Sequence, residues 1–200
     1  GPVVLPPEMQ KKYIDIAYSK AKRLEKLIED LFGFTKMNYG KLAMHVSKVD
    51  IVKLLGQLLE ESYPNFANKG LSYELQSNVP AKMITADGNL LARLFDNLIG
   101  NAIKYMDKPK GIIQIRIKDV GDFIQVEIED NGKGIAAKDI VYIFDRFYRT
   151  DVSRNSSKGG SGIGLSIVAA TMKAHGKDFG VANKEHGVDF YFDLDAKIKS

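Results

Sequence analysis

The chain has 200 residues, 44% of them hydrophobic, which suffices for one compact core of about 150 residues plus an appendage. It contains no cysteine, which excludes a disulfide framework and a cysteine-ligated metal and fits a reducing, cytoplasmic setting. No run approaches the roughly 18 apolar residues of a membrane span, and no secretory leader is visible, so any membrane link is expected only through segments beyond these residues. The net charge of +4 reads as a mildly basic surface. No basic stripe interleaved with aromatics argues for nucleic acid.

Gly1 and Pro2 match the remnant left by tag cleavage, so the natural sequence is expected to join later. Pro6, Pro7 and Glu8 suit a helix start. Ile14, Ala17, Ala21, Leu24, Ile28 and Leu31 then recur at three-four spacing. Leu27 and Phe34 widen that face, and charged residues take most of the rest, as in a bundle helix. Asn38, Tyr39 and Gly40 end it. Such a stripe needs a partner helix that the sequence does not supply.

A different texture follows. Residues 41–48 read as a short strand, and Ile51 to Phe66 as an amphipathic helix with Asp50 as N-cap. Leu71 to Gln76 reads as a strand. Asp87 opens a helix running to about Met106. Ile113, Ile115 and Ile117 alternate with polar residues. So do Ile124, Val126 and Ile128 after the turn at 119–122, giving a hairpin with one apolar face. Its outer face offers Arg116 and Lys118 to Glu127 and Glu129. A helix over Ile163 to Ala174 and strands near 177–183 and 187–194 complete the chain. The expected fold is α+β, a two-layer sandwich over 41–200 preceded by one long bundle helix over 1–40.

Four short stretches carry chemistry. Along the 87–106 helix, Leu91, Leu94, Phe95, Leu98 and Ala102 form a core stripe. Asn97, Asn101 and Lys104 form a second stripe beside it. Such a stripe is either a polar solvent face or a ligand wall. An amide oxygen suits a hard cation, and a lysine suits phosphate. In DNGKGI, residues 130–135, alternation puts Asp130 at the end of a buried face, where a carboxylate requires a donor. The same residues also suit a plain turn. In KGGSGIGLSIV, residues 158–168, glycines lead into a helix and can offer N–H groups to an anion. The Walker A and Rossmann spacings both fail. FDRFYR, residues 144–149, combines aromatics with arginines.

The order and spacing of the four resemble the ATP-binding domain of sensor histidine kinases, in the wider family shared with gyrase, the Hsp90 chaperone and MutL. NLIGNAIKY resembles its N box, DNGKGI its first glycine box, FDRFYR its F box and GGSGIGL its second glycine box. The resemblance covers about residues 50–195. The first helix resembles the second helix of the dimerisation and phosphoacceptor hairpin. AKRLEKLIEDLF, TKMNYG and the YP at 63–64 resemble sensors of the vancomycin-resistance type.

The resemblance implies a Bergerat-type fold binding ATP and Mg²⁺. It makes Asn101 the Mg²⁺ ligand and puts Asn97 near the phosphates or the metal's water. Lys104 and Arg149 would contact phosphate as the catalytic pair, with Tyr105 flanking the adenine. Asp130 would accept the adenine amino group, and Gly132 and Gly134 would admit the base. Gly160, Gly162 and Gly164 would shape the phosphate end, and residues 150–161 would form a lid. It also implies a response regulator as partner, a membrane-anchored homodimer in a longer protein, and a monomer or weak dimer for these residues.

Three features depart from the pattern. His45, His175 and His186 are not followed by an acidic residue and do not lie on the first helix. A phosphoacceptor histidine is therefore expected to be missing, together with autophosphorylation. His175, Gly176 and Lys177 replace the common His-Gly-Gly. Asp189 stands where threonine is frequent, with little expected effect on the pocket edge. A hydrolytic ATPase of the same family would carry a glutamate where Asn97 stands. A degenerate interaction module would have lost the asparagines, Asp130 or the glycines.

Overall fold

The computed structural model describes residues 4–38, 44–144 and 164–196. The chain divides into two compact units, Gly1–Gly40 and Lys41–Ser200. The first holds helix α1 (Pro7–Asn38), on which Ile14, Leu24, Ile28 and Leu31 are exposed.

The second unit has the order β1 (Ser47–Asp50), α2 (Ile51–Asn68), β2 (Ser72–Ser77), β3 (Met83–Ala86), α3 (Gly88–Lys104), β4 (Ile112–Asp119), β5 (Phe123–Asp130), α4 (Ala137–Ile140), α5 (Gly164–His175), β6 (Phe179–Asn183) and β7 (Val188–Asp195). The main sheet runs β2-β4-β5-β7-β6. Only the β2–β4 pair is parallel, because α3 supplies the crossover that a parallel pair needs. Ile113, Ile115, Ile117, Ile124, Val126 and Ile128 face the same core as Leu55, Leu59, Leu91, Phe95, Leu98 and Met172. Helices therefore cover one face of a mixed sheet, and the α+β expectation holds.

Asp50 caps α2 as expected, its Oδ1 accepting from the N–H groups of Val52 and Lys53. The strand expected over 41–48 is displaced to Ser47–Asp50, since its register is set by β3, a strand the sequence pattern did not reveal. The two pair antiparallel from Ser47 with Ala86 to Asp50 with Met83.

The other face of the sheet is polar. Arg116 Nε meets Glu127 Oε2 at 2.8 Å, its second arm meets Glu129, and Lys118 lies 3.8 Å from Glu127. Asp189, opposite Glu129 on β7, belongs to this face and is only 5% exposed. Among the described residues its Oδ1 has no hydrogen-bond partner. Burial, reinforced by the charge of Glu127, pushes its carboxyl up to about 6. A carboxyl that titrates higher in the fold than in the unfolded chain favours folding while protonated. It loses that contribution as pH rises through about 6. The loss is on the order of 2–3 kcal/mol. Asp189→Asn is therefore expected to melt several degrees above the parent at pH 7.5 and level with it at pH 4. Parallel melting curves for the two proteins across that range would contradict this.

Candidate functional site

Helix α3 begins at a shared carboxylate. Asp87 Oδ1 accepts from the N–H of Leu90 at 3.1 Å, and Oδ2 accepts from the N–H of His45 at 2.9 Å. Burial pushes this carboxyl up, but the backbone donors on His45, Leu90 and Asn89 outweigh it and hold it below its ordinary range. Its own N–H donates to His175 Nε2, while His175 Nδ1 meets the Thr171 carbonyl. The start of α3 is thus fixed to the end of α5, and both ring nitrogens of His175 are engaged.

The polar stripe on α3 is no free solvent face. Asn97 is buried, and its Nδ2 donates to the Arg93 carbonyl at 2.9 Å, which turns its Oδ1 away from the helix backbone. Asn101 is half-buried. Among the described residues its side chain makes no hydrogen bond. Lys104 Nζ lies 5.1 Å from the Tyr105 ring centroid, a cation–π contact. Tyr105 caps the helix, its N–H donating to the Asn101 carbonyl.

The end of α3 adjoins the glycine turn that follows β5. Asp130 Oδ1 accepts from Gly132 N–H at 2.9 Å. Burial raises the Asp130 carboxyl above its ordinary range. The N–H groups of Gly132 and Val188 work against this, and Asp107 and Glu129 add to it. A Cβ on Gly132 would lie 3.1 Å from Asp130 Oδ1 and 3.7 Å from Met106 Sδ. Gly134 has a φ of +82°. Behind Asp130 stands Gly187, with a φ of +94°, where a Cβ would collide with the Asp130 carbonyl. A half-buried carboxylate with backbone on both sides can accept from an amino group, and a lysine on a helix end can meet an anion.

Of the expected site residues, the structure therefore places Asp130, Gly132 and Gly134 in one turn. Asn97, Asn101, Lys104 and Tyr105 lie along the helix whose end meets it. Gly164 is the first residue of α5. Arg149, Gly160 and Gly162 lie outside the described residues, as does the lid expected over 150–161. Met106, Asn131 and Asn183 were not singled out from sequence. Asn131 holds the start of β4, its Oδ1 accepting from Ile112 N–H at 2.9 Å. Among the described residues no group of three or more His, Cys, Asp or Glu could hold a metal ion.

Residues 86–198 match the family described as histidine kinase-, DNA gyrase B- and HSP90-like ATPase. The chain belongs to this family. It is 35% identical over 184 residues to sensor protein VanSC of Enterococcus gallinarum, covering 91% of this chain and 50% of that protein. It is 30% identical to sensor protein VanS of Enterococcus faecium, covering 96% and 49%. The chain thus spans about half the length of these curated relatives. Full-length ShkA in complex with AMPPNP is similar at a TM-score of 0.83 and 26% identity, over 99% of this chain and 41% of that one. The histidine kinase ThkA in complex with the response regulator protein TrrA shares the fold at a TM-score of 0.75 and 21% identity, over 97% and 53%. Within the family, the chain carries the ATP-binding catalytic domain of the histidine kinase type. Among the described residues no helix is long and apolar enough to cross a membrane.

Proposed function

We propose that residues 41–200 bind ATP with Mg²⁺ and present its γ-phosphate to a histidine carried elsewhere in a longer, membrane-anchored homodimeric sensor kinase, for relay to a response regulator. The observation that carries this is Asp130: a half-buried carboxylate at a strand end, with glycine backbone packed before and behind it. Its role is to accept from the adenine amino group, with Gly132 and Gly134 admitting the base and Tyr105 flanking it. Lys104 and Arg149 take the phosphates as the catalytic pair. Gly160, Gly162 and Gly164 surround the phosphate end. The complex of ThkA with the response regulator protein TrrA supports a response regulator as partner, and the AMPPNP complex of ShkA supports an adenine nucleotide.

The donor set fits Mg²⁺, which prefers oxygen and keeps few protein ligands beside phosphates and water. Asn101 would hold the ion, with Asn97 beside its water shell. Bound there, Mg²⁺ neutralises charge on the phosphate oxygens. A histidine outside these residues is required. In this chain His175 has both ring nitrogens engaged, and exposed His45 and His186 lie off α1. Autophosphorylation of these residues alone is therefore not expected. A hydrolytic reading is disfavoured by Asn97, whose amide cannot act as a base toward water.

A thermal melt with AMPPNP, with and without Mg²⁺, tests the reading. At about 100 times Kd the nucleotide should add about 2.7 kcal/mol, a shift of several degrees. Asn101→Ala is expected to keep the smaller metal-free shift and to lose the Mg²⁺-dependent part. An Asn101→Ala protein with the parent's full Mg²⁺ response would remove that residue from the metal.

A further inference from the structure

The turn over residues 131–136 is fastened at three places, and only one of them is Asp130. At its start, Asn131 ties it to the first residue of β4. Next, Gly132 N–H binds Asp130. At its far end Asn183, the last residue of β6, reaches across. Its Oδ1 accepts from Ile135 N–H at 3.0 Å, and its Nδ2 donates to the Ile135 carbonyl at 2.6 Å. One side chain thus satisfies both backbone groups of a residue 48 positions away. The pair needs a donor and an acceptor at the same reach, which only an amide of this length supplies. A carboxylate would put an acceptor in place of Nδ2, against the Ile135 carbonyl.

The clamp sits where the turn packs against the β6–β7 hairpin. A Cβ on Gly134 would lie 3.1 Å from Asn183 Oδ1 and 3.4 Å from the Gly187 carbonyl. The hairpin turn is closed by Lys184 N–H donating to that same carbonyl at 3.0 Å. Gly187 is the residue that backs Asp130. One hairpin therefore supports Asp130 from behind and holds the glycine turn in front.

We propose that Asn183 is a positioning residue of the nucleotide site, holding the backbone from Gly132 to Ile135 at the spacing from Asp130 that an adenine ring requires. The inference rests on Asp130 being the acceptor for the adenine amino group. Asn183 acts through the turn and does not itself touch the base. It is exposed, so its replacement leaves the core intact.

Calorimetric titration of ADP and IDP into the parent protein, Asn183→Ala and Asn183→Asp tests this, with thermal melts of each. Hypoxanthine presents a carbonyl where adenine presents the amino group, so the parent should favour ADP. Asn183→Ala is expected to weaken ADP about tenfold, to leave IDP unchanged and to melt with the parent. Asn183→Asp is expected to lose at least as much. An ADP-to-IDP preference in Asn183→Ala equal to the parent's overturns the proposal, as does parent-like ADP binding by Asn183→Asp. Equal loss of both nucleotides overturns it too, since that marks a general loosening. A parent that binds both nucleotides equally instead removes the Asp130 assignment, and the proposal with it.

Discussion

Asp130→Asn is expected to weaken ADP binding about a hundredfold or more without lowering the melting temperature. The two halves of that expectation have separate causes. A hydrogen bond from a ligand amino group to a carboxylate is among the stronger polar contacts. Replacing the acceptor with an amide that turns its own NH₂ toward the ligand leaves two donors facing each other. The fold sees the exchange differently. Burial already holds the Asp130 carboxyl above its ordinary range, so ionised Asp130 contributes less to folding as pH rises. An amide of the same shape can still accept from Gly132 N–H, and it escapes that loss. Calorimetry with ADP and a melt of each protein at pH 7.5 decide the matter. Unchanged affinity would show that the base is read elsewhere. A fall in melting temperature alongside lost affinity would mean that the carboxylate's main work is structural.

Gly187→Ala is expected to cost about 3 kcal/mol of stability and to damage nucleotide binding together with the fold. Two effects combine at this position. A φ of +94° is strained for any residue with a Cβ, and that Cβ would meet the backbone carbonyl of Asp130, which no side-chain rotation can relieve. Gly121 provides the control. It has a φ of +101° with nothing within 4 Å of an added Cβ, so Gly121→Ala carries the strain alone, about 1 kcal/mol. Chemical denaturation of the two variants separates the terms. Equal losses would mean that β7 can shift to accept the methyl group and that Asp130 is not held from behind.

Much of this architecture was readable from residue order. The alternation in β4 and β5 is long and regular, and the caps at Asp50 and Asp87 are side chains whose chemistry acts within three residues. The α3 amide stripe was visible as a stripe, but its burial was not. Sequence leaves solvent face and ligand wall open, whereas the packed helix closes Asn97 from water. Other features depended on distance along the chain. The four residues of β3 are too few for a period to declare itself, and β1 shifted because its register answers to β3. Asp189 read as a minor change at a pocket edge. In the sheet it lies on the face opposite Asp130, among Arg116, Glu127 and Glu129, where its consequence is for stability. Asn183 falls at the end of the strand expected near 177–183, and nothing local announces its partner in the glycine turn.

The β5–β7 pairing has a further consequence for how the molecule is assembled. The β4–β5 and β6–β7 hairpins join neighbours in sequence, whereas β5 and β7 enclose the entire stretch between Asp130 and Val188. Closing so long a loop carries an entropic penalty that neither hairpin bears. The back wall of Asp130 and the clamp on Ile135 both arrive with the β6–β7 hairpin. A folding intermediate in which β7 has not docked contains the carboxylate but lacks both of its supports. The proposed recognition of nucleotide at Asp130 therefore requires the last strand of the sheet to be in place.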